Sequence, residues 1–280
     1  MPITQKRVLD YLDEWHGYIP RFQNLSADEQ AGFLKAQGYA SLHDILAHIT
    51  AWFEETLVIA IAAVEETDRP SKKHDFDAFN AEAVARARAW TDAEMFARFE
   101  EYRRKLVDFV KTYPEAITKN KRVRNWLYGV IIHHAAEHGI GATRFQTLDI
   151  LQNDWAEYVP VFQSLPPEKQ AEFLKNQGFM RFRDVVAHVI AWWEDGIDTI
   201  NAISKDPDYR HSEMDIDAYN AEAIAIFGKL DEAEVWRKFE SVRKSLMELA
   251  INLPDAIFNQ EHVQEWLKAD VIEHYYEHAL

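Results

Sequence analysis

The sequence predicts an all-α protein built from two tandem four-helix bundles, and three observations carry this prediction. The second half repeats the first, because an offset of 140 residues in the 280-residue chain aligns them without a gap and leaves about a third of the positions identical. Apolar residues recur with helical spacing in both halves, and no segment shows the alternation expected of a strand. Capping-box motifs precede two of the apolar stretches in the first half.

The first three helices of the repeat are placed by their apolar stripes and caps. Apolar spacing predicts a first helix over residues 8–19, with Pro20 near its end. Ser26 and Glu29 form a capping box that opens a short helix, and Gly38 suits the C-terminal stop of that helix. Ser41 then opens a long helix that is expected to extend toward residue 66.

A long connection occupies the middle of the repeat. Residues 67–74 are polar and include Pro70, so a loop is expected there. Asp75 or Asp77 can cap the modest helix that follows. The connection over residues 67–90 is too long for a tight hairpin between antiparallel neighbours. We therefore expect it to cross along the bundle and to leave the second and third long helices parallel.

Two further helices complete the repeat. Thr91 and Glu94 form the capping box of the third long helix, which is expected to stop before Pro114. A last helix is predicted over residues 126–138, where Gly139 and Gly141 break it and mark the domain boundary. The predicted domains are therefore residues 1–139 and 141–280.

The composition limits the chemistry and the partners of the chain. The absence of cysteine excludes disulfides and thiolate ligands, which leaves His, Asp and Glu as the strong metal ligands. The formal net charge is −16; residues 1–140 hold 18 basic and 21 acidic residues, and residues 141–280 hold 13 and 26. Such an acidic chain repels phosphate backbones, so no nucleic-acid partner is expected. No signal peptide or apolar run of about 18 residues is evident, so we expect a cytoplasmic protein without a membrane partner.

Three histidine registers are shared between the halves, and their spacing is that of a metal site. His134 and His138 are four residues apart on the last helix, so both imidazoles can reach one ion, and His48 lies in the second long helix. Three neutral imidazoles that leave a position open suit a divalent metal such as zinc, nickel or iron. The second copy repeats the arrangement with His188, His274 and His278.

A glutamate stands between the paired histidines, Glu137 in the first copy and Glu277 in the second. The segment of residues 134–138 matches the inverted zincin pattern HxxEH, in which the Glu acts as general base toward the water that the metal activates. That class takes its third ligand from a downstream carboxylate, and little chain follows His278. The alternative is a solvated or structural glutamate, so a catalytic role for either residue stays a hypothesis.

Three stretches of the repeat resemble a known protein family. The segment LAHITAW of residues 46–52, together with HAAEH of residues 134–138, resembles the DinB-like superfamily, and DFDAFNAEAV of residues 75–84 resembles its ClbS/DfsB branch. The resemblance covers nearly the whole of both halves. It implies an up-down-down-up bundle and a histidine triad in each half. Related enzymes include metal-dependent thiol transferases and isomerases, and proteins that protect producers from their own reactive metabolites.

Other residues identical in the two halves are candidates for the wall of a pocket. Trp52 and Trp192 share the face of the first histidine, and they either line a pocket or belong to the core. Asn80 and Asn220 lie in the crossover, where they either line the open end of the site or cap the short helix. Arg103 is expected to pair on a helix surface with the glutamate three residues earlier.

The expected function is that of a metal-dependent enzyme, of hydrolase or thiol-transferase type, in a detoxification or self-protection role. Its expected partners are a small electrophilic substrate and a thiol cosubstrate. The alternative is a non-catalytic protein that binds or sequesters a small molecule and holds a structural metal or none. We expect the two bundles to pack as an internal pseudo-dimer and the chain to be a monomer.

Overall fold

The computed structural model describes residues 3–67, 74–206, 208–212 and 214–280, and these residues contain helices but no strand. The predicted all-α class is thereby confirmed. The chain divides into two compact units, residues 3–140 and residues 141–280, and each is described by itself. Most of the loop predicted over residues 67–74, with Pro70, lies outside the described residues.

The first unit consists of α-helices with one π-helical segment near its end. Its elements are α1 (Gln5–His16), α2 (Tyr18–Gln23), α3 (Ala27–Gln37), α4 (Leu42–Val64), α5 (Phe76–Ala87), α6 (Asp92–Thr112), α7 (Pro114–Lys119), α8 (Lys121–Leu127), π1 (Tyr128–His133) and α9 (His134–His138).

The second unit repeats this order with a π-helical segment at each end. Its elements are α10 (Arg144–Asp149), π2 (Ile150–Asp154), α11 (Trp155–Ser164), α12 (Pro167–Gln177), α13 (Phe182–Lys205), α14 (Ile216–Phe227), α15 (Glu232–Asn252), α16 (Asp255–Phe258), α17 (Glu261–Trp266), π3 (Leu267–Glu273) and α18 (His274–Glu277).

The predicted caps begin and end the helices of the first unit. Ser26 and Thr91 each accept from the backbone N–H three residues on, and both form complete capping boxes. Ser41 and Asp75 cap α4 and α5 in the same way. Gly38 ends α3 with a left-handed φ of 73°, a conformation that a glycine adopts without steric cost.

Two helix predictions need correction. The first helix is broken at Gly17, where α1 ends and α2 begins, and Pro20 lies inside the first turn of α2, where a missing N–H costs nothing. Pro114 does stop α6, but it also occupies the first position of α7. The last helix is not a regular α-helix, because the π-helical turn of Tyr128–His133 interrupts it.

Side-chain hydrogen bonds fix the directions of the helices within the first unit. Helix α1 is antiparallel to α6. Gln5, at the start of α1, donates from Nε2 to the Val110 carbonyl near the end of α6 at 3.2 Å, whereas the Leu12 carbonyl further along α1 accepts from Arg103, which lies earlier in α6. Helix α4 is parallel to α6, because His43 bonds Asp92 at 2.9 Å near both helix starts and Tyr102 donates to Glu54 at 3.1 Å further on. This parallel pair agrees with the crossover expected from the long connection.

The predicted pair of Arg103 with Glu100 forms, but Arg103 is buried and not on the surface as expected. Its guanidinium does bond Glu100, with Nε to Oε2 at 2.8 Å, but the residue is only 9% exposed. Its Nη1 donates to the Leu12 carbonyl at 3.0 Å, because the five donors of a guanidinium can satisfy two elements at once. Arg243 makes the equivalent bond to the Leu151 carbonyl at 2.6 Å, so the arginine joins the first and third long helices in each unit.

A tryptophan anchors the core of each unit. The Trp15 ring packs edge-on against Phe53, at 5.7 Å between centroids, and against Phe99 at 6.4 Å. Its indole Nε1–H donates to the Ile131 carbonyl at 2.9 Å, inside π1. In the second unit the Trp155 indole donates to the Val271 carbonyl of π3, also at 2.9 Å.

Among the described residues, one helix is long and apolar enough to cross a membrane by length and composition, and it is α4. Of its most apolar 18-residue window, 67% is buried inside the protein, as in the core helix of a soluble protein. Every 18-residue window of α4 includes Glu54 and Glu55, so the helix is not the continuous apolar run that the sequence was expected to lack.

The two units differ where the last helix meets the second long helix. At Gly196 of α13, a Cβ would overlap the Trp266 ring, so the absence of a side chain lets that indole lie directly on the helix backbone. The first unit has the larger, fully buried Thr56 at the equivalent position. Trp126, the equivalent of Trp266, instead lies 6.1 Å from Trp52 between ring centroids.

Replacing this glycine is predicted to destabilise the second unit. Gly196→Ala should lower the free energy of unfolding by about 1–3 kcal/mol, because the added methyl overpacks the contact with Trp266. Gly32→Ala is the matched control; no atom lies near its Cβ position in α3, so a stabilisation of about 0.5–1 kcal/mol is expected. Urea unfolding followed by circular dichroism measures both. A Gly196→Ala cost that persists unchanged in the Trp266→Ala background would contradict the contact as its cause.

Candidate metal centre

The structure brings three histidines together in each unit. In the first unit they are His48 of α4 and the two histidines of α9, His134 and His138. Within each triad, one ring nitrogen from every histidine lies within 4.8 Å of the others. Two nitrogens bound to one tetrahedral zinc ion stand about 3.4 Å apart, so ring shifts of about 1 Å bring each triad to ligand geometry. The second triad consists of His188, His274 and His278.

Burial keeps the imidazoles neutral, which is the protonation state that a metal ligand requires. Burial, together with the neighbouring imidazoles of each triad, lowers the pKa of His48 to about 3 and that of His274 to about 2. Burial also lowers the pKa of His278 to about 4 and that of His134 well below its ordinary value. At neutral pH these four rings therefore carry a lone pair and no charge.

A glutamine orients the last histidine of each triad. Gln37, the final residue of α3, donates from Nε2 to the Glu137 carbonyl at 3.2 Å, so its Oε1 must face the His138 ring. Because Oε1 can only accept, the 2.6 Å contact places the proton on His138 Nδ1 and leaves the Nε2 lone pair for the triad. Gln177 repeats both bonds, at 2.9 Å to the Glu277 carbonyl and 2.6 Å to His278 Nδ1.

Sequence reasoning missed this glutamine. A polar residue at the end of a short amphipathic helix has no helical pattern that separates it from a solvated side chain. Its one detectable signal is the duplication, because Gln37 and Gln177 occupy the same register and are identical.

The two asparagines predicted as pocket residues have different partners. Both Asn80 and Asn220 accept an indole N–H, from Trp52 at 2.8 Å and from Trp192 at 3.0 Å. Asn220 Oδ1 also lies 2.9 Å from His188 Nδ1, which places the proton on Nδ1 and the lone pair on Nε2. In the second triad, side-chain amides therefore fix both His188 and His278. In the first triad, the corresponding bond is the one between Gln37 and His138.

Three neutral imidazoles with converging nitrogens fit a divalent metal of the nitrogen-preferring class. His48 Nε2 lies 3.0 Å from His138 Nε2, and His188 Nε2 lies 2.8 Å from His274 Nε2. The buried Nδ1 of His134 has no hydrogen-bond partner within the described ranges. Zinc, nickel and iron(II) all accept three imidazoles and keep positions open. Each triad could therefore hold an ion of the predicted divalent class.

A cavity of about 490 Å³ reaches the triad of the first unit. It is lined by five predicted site residues, which are Trp52, Asn80, His134, Glu137 and His138. Further along its wall stand Phe76, Asn125, Trp126, Gly129, Val130 and His133. The Glu137 side chain is 50% exposed, and its carboxylate lies 3.9 Å from His133 Nδ1, so it stands at the rim rather than among the ligands.

The second unit has a cavity of about 510 Å³. Part of its lining consists of residues equivalent to those of the first cavity, and the rest differs. Trp192, Ile216 and Trp266 line it, as their equivalents line the first cavity, but none of the triad histidines does. Glu277, the equivalent of Glu137, is exposed. Tyr275, which stands where the first unit has Ala135, directs its ring into the core, at 5.2 Å from the Trp155 ring between centroids.

Comparison of the chain with protein-family models, with curated proteins and with solved structures finds no match. The assignment of the triads as candidate metal ligands therefore depends on geometry, burial and the internal duplication.

The second triad is predicted to depend on its asparagine, whereas the first does not. Asn220→Ala should weaken zinc binding at the second triad by about 10–100-fold, because His188 loses the bond that fixes its tautomer. Asn80→Ala is the matched control, since Asn80 has the same bond to a tryptophan but is not bonded to a triad histidine. Zinc affinity is measured by chelator competition, with His48→Ala or His188→Ala isolating one site. Equal losses in the two asparagine variants would contradict the asymmetry.

Proposed function

We propose that the chain is a metal-dependent enzyme, of hydrolase or thiol-transferase type, that acts on a small electrophilic molecule in a detoxification or self-protection role. One observation carries the proposal: the cavity of the first unit is lined by both histidines of α9. A small molecule in that cavity contacts two of the three histidines that would hold the metal. Protein ligand sites of this size are commonly apolar clefts with a few convergent polar groups.

The residues of the first unit have separate roles in this proposal. His48, His134 and His138 would hold the divalent metal, which supplies Lewis acidity and activates water or a thiol cosubstrate. Gln37 holds His138 in the tautomer with a free Nε2. Glu137 is placed at the cavity rim, where it takes a proton from the attacking water or thiol and returns it to the leaving group.

The second unit favours the competing function of non-catalytic binding. All three of its histidines are at most 9% exposed, and the cavity of about 510 Å³ is lined by other residues. A metal held there would join α13 to α18 and stabilise the fold without meeting a substrate. We therefore propose a structural metal in the second unit and metal chemistry in the first.

We also propose that the chain is a tandem DinB-like protein of the ClbS/DfsB type. The triad registers, the parallel pair α4 and α6 and the motif of residues 75–84 support this membership. The proposed environment is cytoplasmic, and the charge of −16 supports a role without nucleic-acid contact.

The two units are predicted to pack about a pseudo-twofold axis in a monomeric chain. Duplication holds the copies at high effective concentration, which favours their association over a loose tether. Sedimentation should give the mass of one chain, and small-angle scattering should fit a rigid pair. Independent tumbling of the halves in relaxation measurements would contradict the packing.

Metal content and turnover test the proposed enzyme. The untagged protein should hold about two zinc or nickel ions per chain, and His48→Ala should remove one of them. The metal-loaded protein should accelerate hydrolysis of p-nitrophenyl acetate or the reaction of a thiol with chlorodinitrobenzene. Glu137→Gln should keep the metal and lose about 10²–10⁴ in rate. His188→Ala is the control, since it should remove the second ion and keep the rate.

Two outcomes contradict the proposal in different ways. Protein that holds no metal after refilling contradicts the ligand assignment itself. Two bound ions without turnover of any probe support the competing function, in which the protein binds or sequesters a molecule.

A further inference from the structure

The cavity of the first unit has a wall of aromatic rings. Phe76, Trp52 and Trp126 form a continuous series, with 5.6 Å between the first two ring centroids and 6.1 Å between the last two. Phe76 is 68% exposed although it is large and apolar, and it stands on this wall. Its equivalent on the wall of the second cavity, Ile216, is 58% exposed, so both copies keep an apolar side chain at this position. Flat apolar molecules are the ligands that such surfaces cover best.

The polar groups of the cavity suit an uncharged ligand. Asn80 Oδ1 already accepts the Trp52 indole, so the amide Nδ2 is the group that Asn80 can offer as a donor to a ligand oxygen. Among the described residues that line the cavity there is no lysine or arginine and Glu137 is the one carboxylate, so an anion there would meet like charge without a counterion. A cationic ligand would meet the positive charge of the metal at the histidine end.

The second copy carries acidic residues at three registers that line the first cavity. At the registers of Asn125, Val130 and His133, the second unit has Glu265, Asp270 and Glu273, and Glu265 lines the second cavity. Three positions of the first copy that hold no carboxylate are therefore acidic in the second. The fold tolerates carboxylates at these positions, so the neutrality of the first cavity is not imposed by the backbone.

We infer that the cavity of the first unit binds an uncharged molecule with a flat aromatic or conjugated part and an oxygen acceptor such as a carbonyl. The flat part lies against Trp52 and Trp126, and the oxygen meets the amide of Asn80. The inference names the substrate class of the proposed enzyme and rests on that function for the reactivity of the carbonyl. The binding itself depends on the walls of the cavity, so it is tested separately.

Three probes with one ring system and different charges test the inference. They are 2-naphthamide, 2-naphthoate and 2-naphthylmethylammonium, titrated by calorimetry into the full-length protein with and without zinc. We expect the neutral amide to bind at least tenfold more tightly than the naphthoate in both forms, and at least tenfold more tightly than the ammonium ion in the form with zinc. Trp126→Ala should weaken its binding at least tenfold, and the matched Trp266→Ala should change it less than twofold.

A charge exchange at the rim tests selectivity without disturbing the core. Asn125→Glu with His133→Glu copies the second unit and should raise the affinity ratio of the cation to the amide at least tenfold. Asn125→Gln with His133→Gln is the neutral control and should leave that ratio unchanged. Circular dichroism and zinc content confirm that both double variants are folded.

The outcomes separate this inference from the proposed function. Tight binding of the naphthoate, insensitivity to Trp126→Ala, or no binding of any probe would overturn the ligand class, even if zinc is bound and an ester is hydrolysed. Selective binding of the amide by protein that takes up no zinc when it is refilled supports the ligand class and contradicts the metal-dependent enzyme.

Discussion

Each unit depends on one buried hydrogen bond between an indole and a π-helical turn. A π turn wraps more residues than an α turn, so it displaces a carbonyl from the regular ladder, and a buried carbonyl needs a donor. Trp15 supplies that donor to Ile131, and Trp155 supplies it to Val271. The bond fixes the last helix against the first long helix. It acts just before the paired histidines, so it also sets where their rings stand.

The sequence predicted the parts of the fold that have local signals. Ser26, Ser41 and Thr91 begin helices because their hydroxyls accept backbone N–H groups, a property that is visible without tertiary structure. The π turn could not be predicted, because apolar residues continue through it at spacings that a regular helix also produces. The burial of Arg103 was missed for a related reason: an i,i+3 ion pair has the same sequence pattern on a surface and in a core.

The candidate site was predictable to the extent that duplication marked it. Three histidine registers survive in both halves, which singled out six of the twelve histidines. The asparagines were also identified, but their different roles were not, because the ring orientation that brings His188 within 2.9 Å of Asn220 depends on packing. Conversely, Gln37 is as invariant between the halves as the histidines, yet its chemistry becomes visible only when α3 is placed beside α9.

Helix α3 has an unusual attachment to its unit, since none of its residues is fully buried. Its contacts include the ring of Phe33 at 6.0 Å from Phe22 and the two hydrogen bonds of Gln37. A segment with so little buried apolar surface belongs to the least protected part of a fold. The last residue of α3, Gln37, orients the imidazole of His138. Detachment of α3 would therefore release this imidazole, and a ligand that fixes the imidazole would keep α3 attached. A metal held by the triad would therefore oppose the opening of α3, and the exchange of the α3 amides with solvent would slow when the triad is filled.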